Sequence, residues 1–479
     1  MSSAEIAVLT LYYLVLSVLA VYSVHRFYLV RLRRRTPPPA HVTADVFPPL
    51  TIQLPLYNEP NVAARLLDAV AALEYPGALD IQALDDSTDG TTAIVAERIA
   101  RMKEHGVNVE HLRRGTREGY KAGALAHGMR FSASELFAVF DADFVPTREL
   151  LLRVVPHFAD PRVGMVQARW THLNRDSSLL TRVQALFLDA HFAVESAARH
   201  FAGRFFNFNG TAGVWRRAAI EDAGGWSSST LTEDLDLSYR AQLAGWEFVF
   251  LPDVEVPAEL PAALSGFQEQ QHRWAKGSIQ TARKLLPRIA AAPLRRSVKT
   301  EAAFHLTNNS AYLLTVALAL LAVPAMIIRQ SHQLLWSFVA DFVLYAASTA
   351  SVLLFYREGQ RHAGRALPRW RDLLPVLPVG VGMSVRNASA VLEGLIEVGG
   401  EFRRTPKAGD ASAPLREARA PRIPWAELAL ALFFCGVIVA FGGTRQWLSV
   451  PFLAIFASGY GYIAVAACSE RLSYSRSKG

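Results

Sequence analysis

The chain has 479 residues, 51% of them hydrophobic and 19% charged, with a formal net charge of +8. That is too apolar for an ordinary soluble protein and too charged for one made of membrane spans alone, so the composition implies a soluble domain joined to spans. The two cysteines, Cys435 and Cys468, lie in apolar stretches and exclude a disulfide framework or a cysteine zinc site, while basic clusters placed beside apolar runs point to a cytoplasmic membrane face rather than to nucleic acid.

Ile6 to Val24 is almost wholly apolar and long enough to cross a bilayer core. His25-Arg26 and Arg31 to Arg35 follow it. Positive charge marks the cytoplasmic side, so the N-terminus is expected outside and the next domain inside. A signal peptide would carry its charge before the apolar run, not after it. Thr36 to Pro49 holds five prolines and reads as a linker.

From Leu50 to about Pro252, strand-like and helix-like segments alternate. Strands are expected at Thr51–Leu56, Asp80–Leu84, Val107–Leu112, Leu136–Phe140, Val163–Arg169 and Glu247–Leu251, and helices at Asn61–Leu73, Thr91–His105, Tyr120–Arg130 and Ser178–His200. Such alternation predicts a mostly parallel sheet with helices on both faces.

After Pro261 an amphipathic stretch to Ile289 sets Arg273, Lys276, Arg283, Lys284 and Arg288 among apolar residues, the pattern of a helix lying on a membrane surface. Spans are expected at Ala302–Ile328, Leu334–Phe355, Trp425–Phe441 and Trp447–Cys468. Asp372 to Gly400 is apolar but carries Arg386, Glu393 and Glu397. If it crossed once, the basic loop Arg403–Arg422 would lie outside, against the positive-inside rule. It is therefore assigned to the inner interface as two helices, leaving five spans and a cytoplasmic C-terminus.

Chemistry gathers where strands end. The apolar run Leu136–Phe140 stops at Asp141-Ala142-Asp143. Ligands bind at the carboxyl ends of strands in open α/β sheets, and two hard oxygen donors two residues apart can jointly hold Mg²⁺ or Mn²⁺, which in turn holds a diphosphate. Tyr57-Asn58-Glu59-Pro60 closes the first strand, and Asp85-Asp86-Ser87-Thr88-Asp89-Gly90 closes the second. A carboxylate there can accept hydrogen bonds from a base or ribose, although the same residues also suit a helix cap and turn. Arg114 to Lys121 opens a helix through two glycines, and Lys121 is placed to meet a phosphate. Thr232-Glu233-Asp234 begins another helix, where carboxylates also serve as caps. In the catalytic reading Asp234 takes the proton from an acceptor hydroxyl attacking an anomeric carbon. In Gln270-x-x-Arg273-Trp274, Arg273 can neutralise a leaving diphosphate, Gln270 can hydrogen-bond, and Trp274 offers a flat face to a sugar ring.

Taken in order, Asp85/Asp86, Asp141-Ala-Asp143, Thr-Glu-Asp234 and Gln270-x-x-Arg273-Trp274 resemble processive family 2 glycosyltransferases. Phe206-Asn-Phe-Asn-Gly-Thr-Ala-Gly-Val-Trp-Arg216, Asp222-Ala-Gly-Gly-Trp226, Val166-Gln-Ala-Arg-Trp170 and Gln270-Gln-His-Arg-Trp274 are similar to the cellulose-synthase-like A and C branch, which makes β-mannans, glucomannans or the glucan backbone of xyloglucan. The resemblance runs from about Leu54 to Arg404-Thr-Pro-Lys407. It implies an α/β GT-A nucleotide-sugar-binding domain with a Rossmann-like mixed sheet, joined to an α-helical transmembrane domain of about five spans with interfacial helices. It also implies an inverting single displacement. Asp85, Asp86, Lys121, Asp141, Gln270 and Arg273 would bind the donor, and Asp141 and Asp143 the Mg²⁺ or Mn²⁺. Asp234 would be the base, and Trp274, Asn209, Gly210, Thr211 and Glu233 would face the acceptor. The chain departs from some relatives of that kind in having no cyclic-di-nucleotide-binding domain after the spans and no large plant-type insertions.

These readings divide the chain into an N-terminal helix with basic flank (1–35), a Pro-rich linker (36–49), a GT-A domain (50–260), amphipathic interfacial helices (261–300) and a transmembrane region (301–479) with an interfacial segment at 372–400. The expected activity is a multi-pass plasma-membrane synthase that polymerises a β-linked glucan, mannan or glucomannan on the cytoplasmic side and extrudes it. The expected partners are UDP-glucose or GDP-mannose, a growing glycan or lipid acceptor, and membrane lipids, with no nucleic acid. The alternatives are a glycolipid synthase adding one hexosyl unit to a lipid, as in ceramide glucosyltransferase-like enzymes, and a non-catalytic membrane scaffold. The sequence does not choose between the two donors.

Overall fold

The computed structural model describes residues 1–36, 42–43, 46–401, 407, 409, 422–441 and 449–478. Part of the expected linker, most of the basic loop 403–422 and the start of the last expected span at Trp447 lie outside the described residues.

Seven strands form one sheet: β1 (Leu50–Leu56), β2 (Leu79–Asp85), β3 (Val109–Arg113), β4 (Leu136–Val139), β5 (Val163–His172), β6 (Gly213–Arg216) and β7 (Glu247–Ala258), in the order β3-β2-β1-β4-β6-β5-β7. β1 pairs in parallel with β2 and β4, β2 with β3, and β5 with β7. No strand is expected from the sequence pattern at β6. It runs antiparallel to both β4 and β5, so the sheet is mixed. Four residues carry too little periodicity to announce a strand, and this one takes its register from its neighbours.

Alternation along β4 splits the core. Leu136 and Ala138 join a cluster with Leu50, Ile52, Leu66 and Val95 on one face. Phe137 and Val139 join Phe192, Phe206, Phe208, Trp215 and Phe250 on the other. Each large side chain so buried contributes roughly 1.5–3 kcal/mol. With both faces covered, only the strand ends and the loops that follow them are open to a ligand.

The helix expected over Ser178–His200 forms, but in three parts. Ser178 caps Leu179–Ala190 by accepting a hydrogen bond from the Thr181 amide at 3.1 Å, a π-helical turn spans His191–Ser196, and an α-helix resumes at Ala197–Phe201. The helix expected at the membrane interface is Leu264–Ala291, called the interfacial helix for that expectation. Gly277 is what docks it: a Cβ there would lie 2.5 Å from Thr232 Cγ2, so the missing side chain lets the helix touch the Thr232-Glu233-Asp234 corner.

Among the described residues, four helices are long and apolar enough to cross a membrane: Ser3–Arg34, Ser310–Ser331, Val339–His362 and Val450–Arg476. The fifth expected span is the helix Trp425–Phe441, whose 17 residues reach about 26 Å at 1.5 Å per residue. The expected span Ala302–Ile328 is corrected. Residues 302–307 end a separate helix, Arg296–Thr307, and the chain turns at Asn308-Asn309 before Ser310–Ser331. The Asn309 side chain donates to Ser278 Oγ at 2.8 Å, which ties this corner to the interfacial helix. The segment expected at the interface forms short helices at Trp370–Leu373, Val376–Gly382 and Ser384–Ile396. The last of these packs on the interfacial helix, where Glu393 meets His272 and Lys276.

Candidate active site

The carboxyl ends of β1, β2 and β4 and the start of the helix Glu233–Leu243 open on one cavity of about 640 Å³. Asp141 and Asp143 lie just beyond β4 and both line it. The backbone N–H of Asp141 donates to Thr211 Oγ1 at 2.9 Å, so Thr211 is buried behind the carboxylate rather than facing the cavity. Lys121 Nζ donates to Asp141 Oδ1 at 2.5 Å and to the Gly210 carbonyl at 2.8 Å. Gly119 and Tyr120, at φ 68° and 50°, turn the chain so that Lys121 enters the cavity. An aromatic residue in the left-handed region is strained, and here the strain lies beside the cavity.

Asp234 sits opposite. Its Oδ1 accepts the Leu235 amide at 2.8 Å. Gly210, at φ 83°, makes room for it: a Cβ there would stand 3.0 Å from Asp234 Oδ2. Burial first, and then the charge of Glu233, push the Asp234 carboxyl up to about 7, against the opposing charge of Lys121 and Arg273. A carboxylate poised there is suited to take and release a proton near neutral pH. Lys121 is held above its ordinary value. Burial alone would lower it, but the carboxylates of Asp141, Glu233 and Asp234 outweigh that. Gln270, Arg273 and Trp274 line the same cavity from the interfacial helix.

The two aspartates at the end of β2 part company. Asp86 lines the cavity, where Arg114 Nε donates to its Oδ1 at 2.9 Å. Asp85 is buried beneath the loop, accepting the Ser87 amide at 2.9 Å and meeting His111 Nε2 at 3.0 Å. Its carboxyl is held down to about 2, because the His111 and Ser87 hydrogen bonds outweigh burial. Asp85 shapes the loop that presents Asp86.

Asn209 and Gly210 line the cavity, while Gln167 on β5 holds their loop. Gln167 Nε2 donates to the carbonyls of Thr211 and Ala212 at 3.0 Å, and its Oε1 accepts the Asn209 amide at 2.9 Å. In the sequence Gln167 stands out only within Val166-Gln-Ala-Arg-Trp170, and its place in that motif is the signal for this role. Two further residues line the cavity that the sequence does not single out as site residues: Arg117, whose guanidinium lies 3.4 Å over the Tyr57 ring, and Lys407. Lys407 Nζ reaches Asp143 Oδ2 at 2.6 Å. Nothing local marks a lysine so far along the chain as part of this site.

The cavity does not stop at the sheet. It is lined as well by Asn308, Asn309, Tyr312 and Thr315, and by Tyr345, Ser348, Thr349 and Phe452 of the apolar helices. Polar groups along apolar helices are costly against lipid and are at home along a watery path.

The family model described as "Glycosyltransferase like family 2" matches residues 48–277. Glucomannan 4-beta-mannosyltransferase 1 of Oryza sativa subsp. japonica is 36% identical over 452 residues, covering 88% of this chain and 83% of that one. The protein of the same name from Cyamopsis tetragonoloba is 36% identical over 390 residues, covering 78% and 72%. This chain belongs to glycosyltransferase family 2. A mannosyltransferase from Pyrobaculum calidifontis, solved with GDP-Man and Mn²⁺, matches with a TM-score of 0.56 at 19% identity, over 81% of this chain and 99% of that one. This likeness bears on the fold, which is GT-A. The glycosyltransferase is thus of the cellulose-synthase-like kind that the motif series resembles, with apolar helices joined to its catalytic domain.

Proposed function

We propose that this glycosyltransferase polymerises a β-linked mannan or glucomannan from GDP-mannose at a cytoplasmic site in the plasma membrane and passes the chain out between its own helices. One observation carries the reading: the cavity lined by Asp234 and Trp274 is lined as well by Tyr345 and Phe452 of the apolar helices. A site for single transfer to a lipid has no need of that length. The relatives carry the name mannosyltransferase, which supports GDP-mannose as the donor.

In the reaction, an acceptor hydroxyl oxygen attacks C1 of the donor sugar from the face opposite the diphosphate. The C1–oxygen bond to the diphosphate breaks and its electron pair leaves with the diphosphate, so an α-linked donor gives a β-linked product. Asp234 takes the hydroxyl proton, and its carboxyl, pushed up to about 7, returns that proton to solvent between additions. Lys121, Gln270 and Arg273 hold the leaving diphosphate, and Asp86 the nucleoside. Trp274 carries the acceptor sugar on its indole face.

Asp141 and Asp143 fit a divalent cation. They offer hard carboxylate oxygens two residues apart, one of them meeting Lys121 on Asp141 and another Lys407 on Asp143, and these two carboxylates would hold the cation. Mg²⁺ or Mn²⁺ bound there would offset charge on the leaving diphosphate.

The test is incorporation of radiolabelled sugar by membranes containing the enzyme, with GDP-mannose and UDP-glucose offered separately and together. The expected product is a long polymer from GDP-mannose, degraded by a β-1,4-mannanase. A lipid carrying one sugar would replace this reading with that of a glycolipid synthase. No product from either donor would leave the scaffold.

A further inference from the structure

We infer that Glu195 is the hydroxyl-binding group of a second acceptor-sugar subsite, held in place by His191, for the hexose unit one step behind the unit on Trp274. The inference rests on the polymer reading, because only a chain has a unit in that position.

The π-helical turn His191–Ser196 is the starting point. Such turns insert one residue into a helix and concentrate at functional sites. Here the turn brings His191 and Glu195 to the wall of the cavity. His191 Nε2 meets Asn209 Oδ1 at 2.9 Å, and His191 Nδ1 meets Glu195 Oε2 at 3.1 Å. The imidazole therefore links the Asn209 amide, on the loop beside Asp234, to the carboxylate. Both its nitrogens are used in that link, which makes His191 a positioning residue. Glu195 makes its contacts through Oε2, and Oε1 has no hydrogen-bond partner among the described residues. An ionised carboxylate oxygen on a cavity wall accepts hydrogen bonds from sugar hydroxyls, two of which can share it. Tyr356 also lines the cavity.

Behind the subsite the carboxylate is braced. Arg199 Nη1 reaches Glu195 Oε2 at 3.4 Å, Arg199 Nε donates to Glu301 Oε1 at 2.9 Å, and Glu301 Oε2 meets His25 Nε2 at 2.8 Å. His25 is on the N-terminal membrane helix and stacks on Phe304 at 4.1 Å. Burial would push Glu195 up, but Arg199 and the His191 hydrogen bond hold it well below the usual carboxylate range, so it stays ionised. A buried string of ion pairs is a poor way to gain stability alone, since apolar side chains of like volume serve as well or better. This string ends at a cavity wall rather than in a core, and there its charge has a use.

The experiment uses the full-length enzyme in lipid nanodiscs, with Glu195→Gln and His191→Gln made separately. The probes are GDP for the donor site, by calorimetry, and β-1,4-mannotetraose as added acceptor. Expected are GDP affinity within about twofold of wild type, a KM for mannotetraose raised tenfold or more, shorter polymer, and a larger share of GDP-mannose hydrolysed to free mannose. Glu195→Asp should recover part of the product length. The subsite is overturned if Glu195→Gln and His191→Gln make polymer of wild-type length with an unchanged acceptor KM. It is equally overturned if GDP affinity, acceptor KM and thermal midpoint worsen together, the mark of a purely structural brace. If the wild-type enzyme itself makes only a lipid with one sugar, the polymer reading fails and the subsite with it. That failure is read on the wild type alone, so it is not confused with failure of the subsite.

Discussion

Lys407 Nζ lies 2.6 Å from Asp143 Oδ2 and 2.8 Å from the Glu259 carbonyl, so an ammonium from far along the chain rests on the second carboxylate of Asp141-Ala142-Asp143. Both partners are nearly buried, with side chains 10% and 9% exposed. An ammonium and a divalent cation compete for that carboxylate. Lys407→Met should therefore lower the Mn²⁺ concentration that half-activates the enzyme, by about tenfold or less, the equivalent of one unit of carboxylate affinity. A metal titration of the variant checks this. An unchanged midpoint would mean that Lys407 has already left Asp143 when the cation arrives.

Chelation should abolish transfer, and Mg²⁺ or Mn²⁺ should restore it in the wild type. Asp143→Ala should stay inactive at any concentration of either ion, because one carboxylate and a diphosphate make a poorer shell than two. Full activity in excess chelator would remove the cation from the reaction.

Asp234→Asn should keep GDP affinity and lose transfer by roughly a hundredfold or more. In the wild type, transfer should fall about tenfold per pH unit below about 7, as the carboxyl takes up its proton. Stability moves the other way. A carboxyl whose folded value is raised from 3.8 to about 7 holds a proton in the folded state that the unfolded chain has already lost. Its contribution is fully present below the unfolded value and is lost as pH rises through about 7. Asp234→Asn keeps a neutral group at every pH, so it should melt higher than the wild type at pH 8, by about 2 °C or more, with little difference at pH 4. Melting curves at the two pH values decide it. Equal midpoints at pH 8 would show that Asp234 is not destabilised by ionisation.

Trp274→Ala should lose polymer far more than GDP binding, with Tyr or Phe at that position retaining part of the polymer. Stacking needs a ring under the sugar, whereas in the proposed reaction Gln270 and Arg273 hold the diphosphate. Product sizing by gel filtration beside a GDP binding curve reads both. Normal polymer from Trp274→Ala would take the acceptor off the indole.

A reporter fused after Gly479 should read cytoplasmic, and one inserted at Gln330, near the end of the helix Ser310–Ser331, should read external. The opposite result at either point would invert or break the arrangement of five spans.

Local patterning settled much of this protein. Leu136 to Phe140 is apolar and Asp141 is not, so the strand, its end and the carboxylates beyond it are legible without coordinates. Thr232-Glu233-Asp234 opening a helix and Gln270-x-x-Arg273-Trp274 on an amphipathic one are legible for the same reason, since spacing along an element dictates which side chains share a face. The apolar helices follow from length and composition. Tertiary structure decided the rest. Asp85 and Asp86 are alike as residues, and only the packing of β2 against β3, with His111 alongside, turned one inward and left the other on the cavity. β6 exists because β4 and β5 offer it hydrogen bonds on both sides. Lys407 and Asp143 meet across a separation that no periodicity reports, and His191 reaches Asn209 through a π-helical turn that a 3.6-residue repeat does not anticipate. Sequence pattern carries information over a few turns of one element. The juxtaposition of elements comes from the joint burial of their apolar faces, and that is a property of the folded whole.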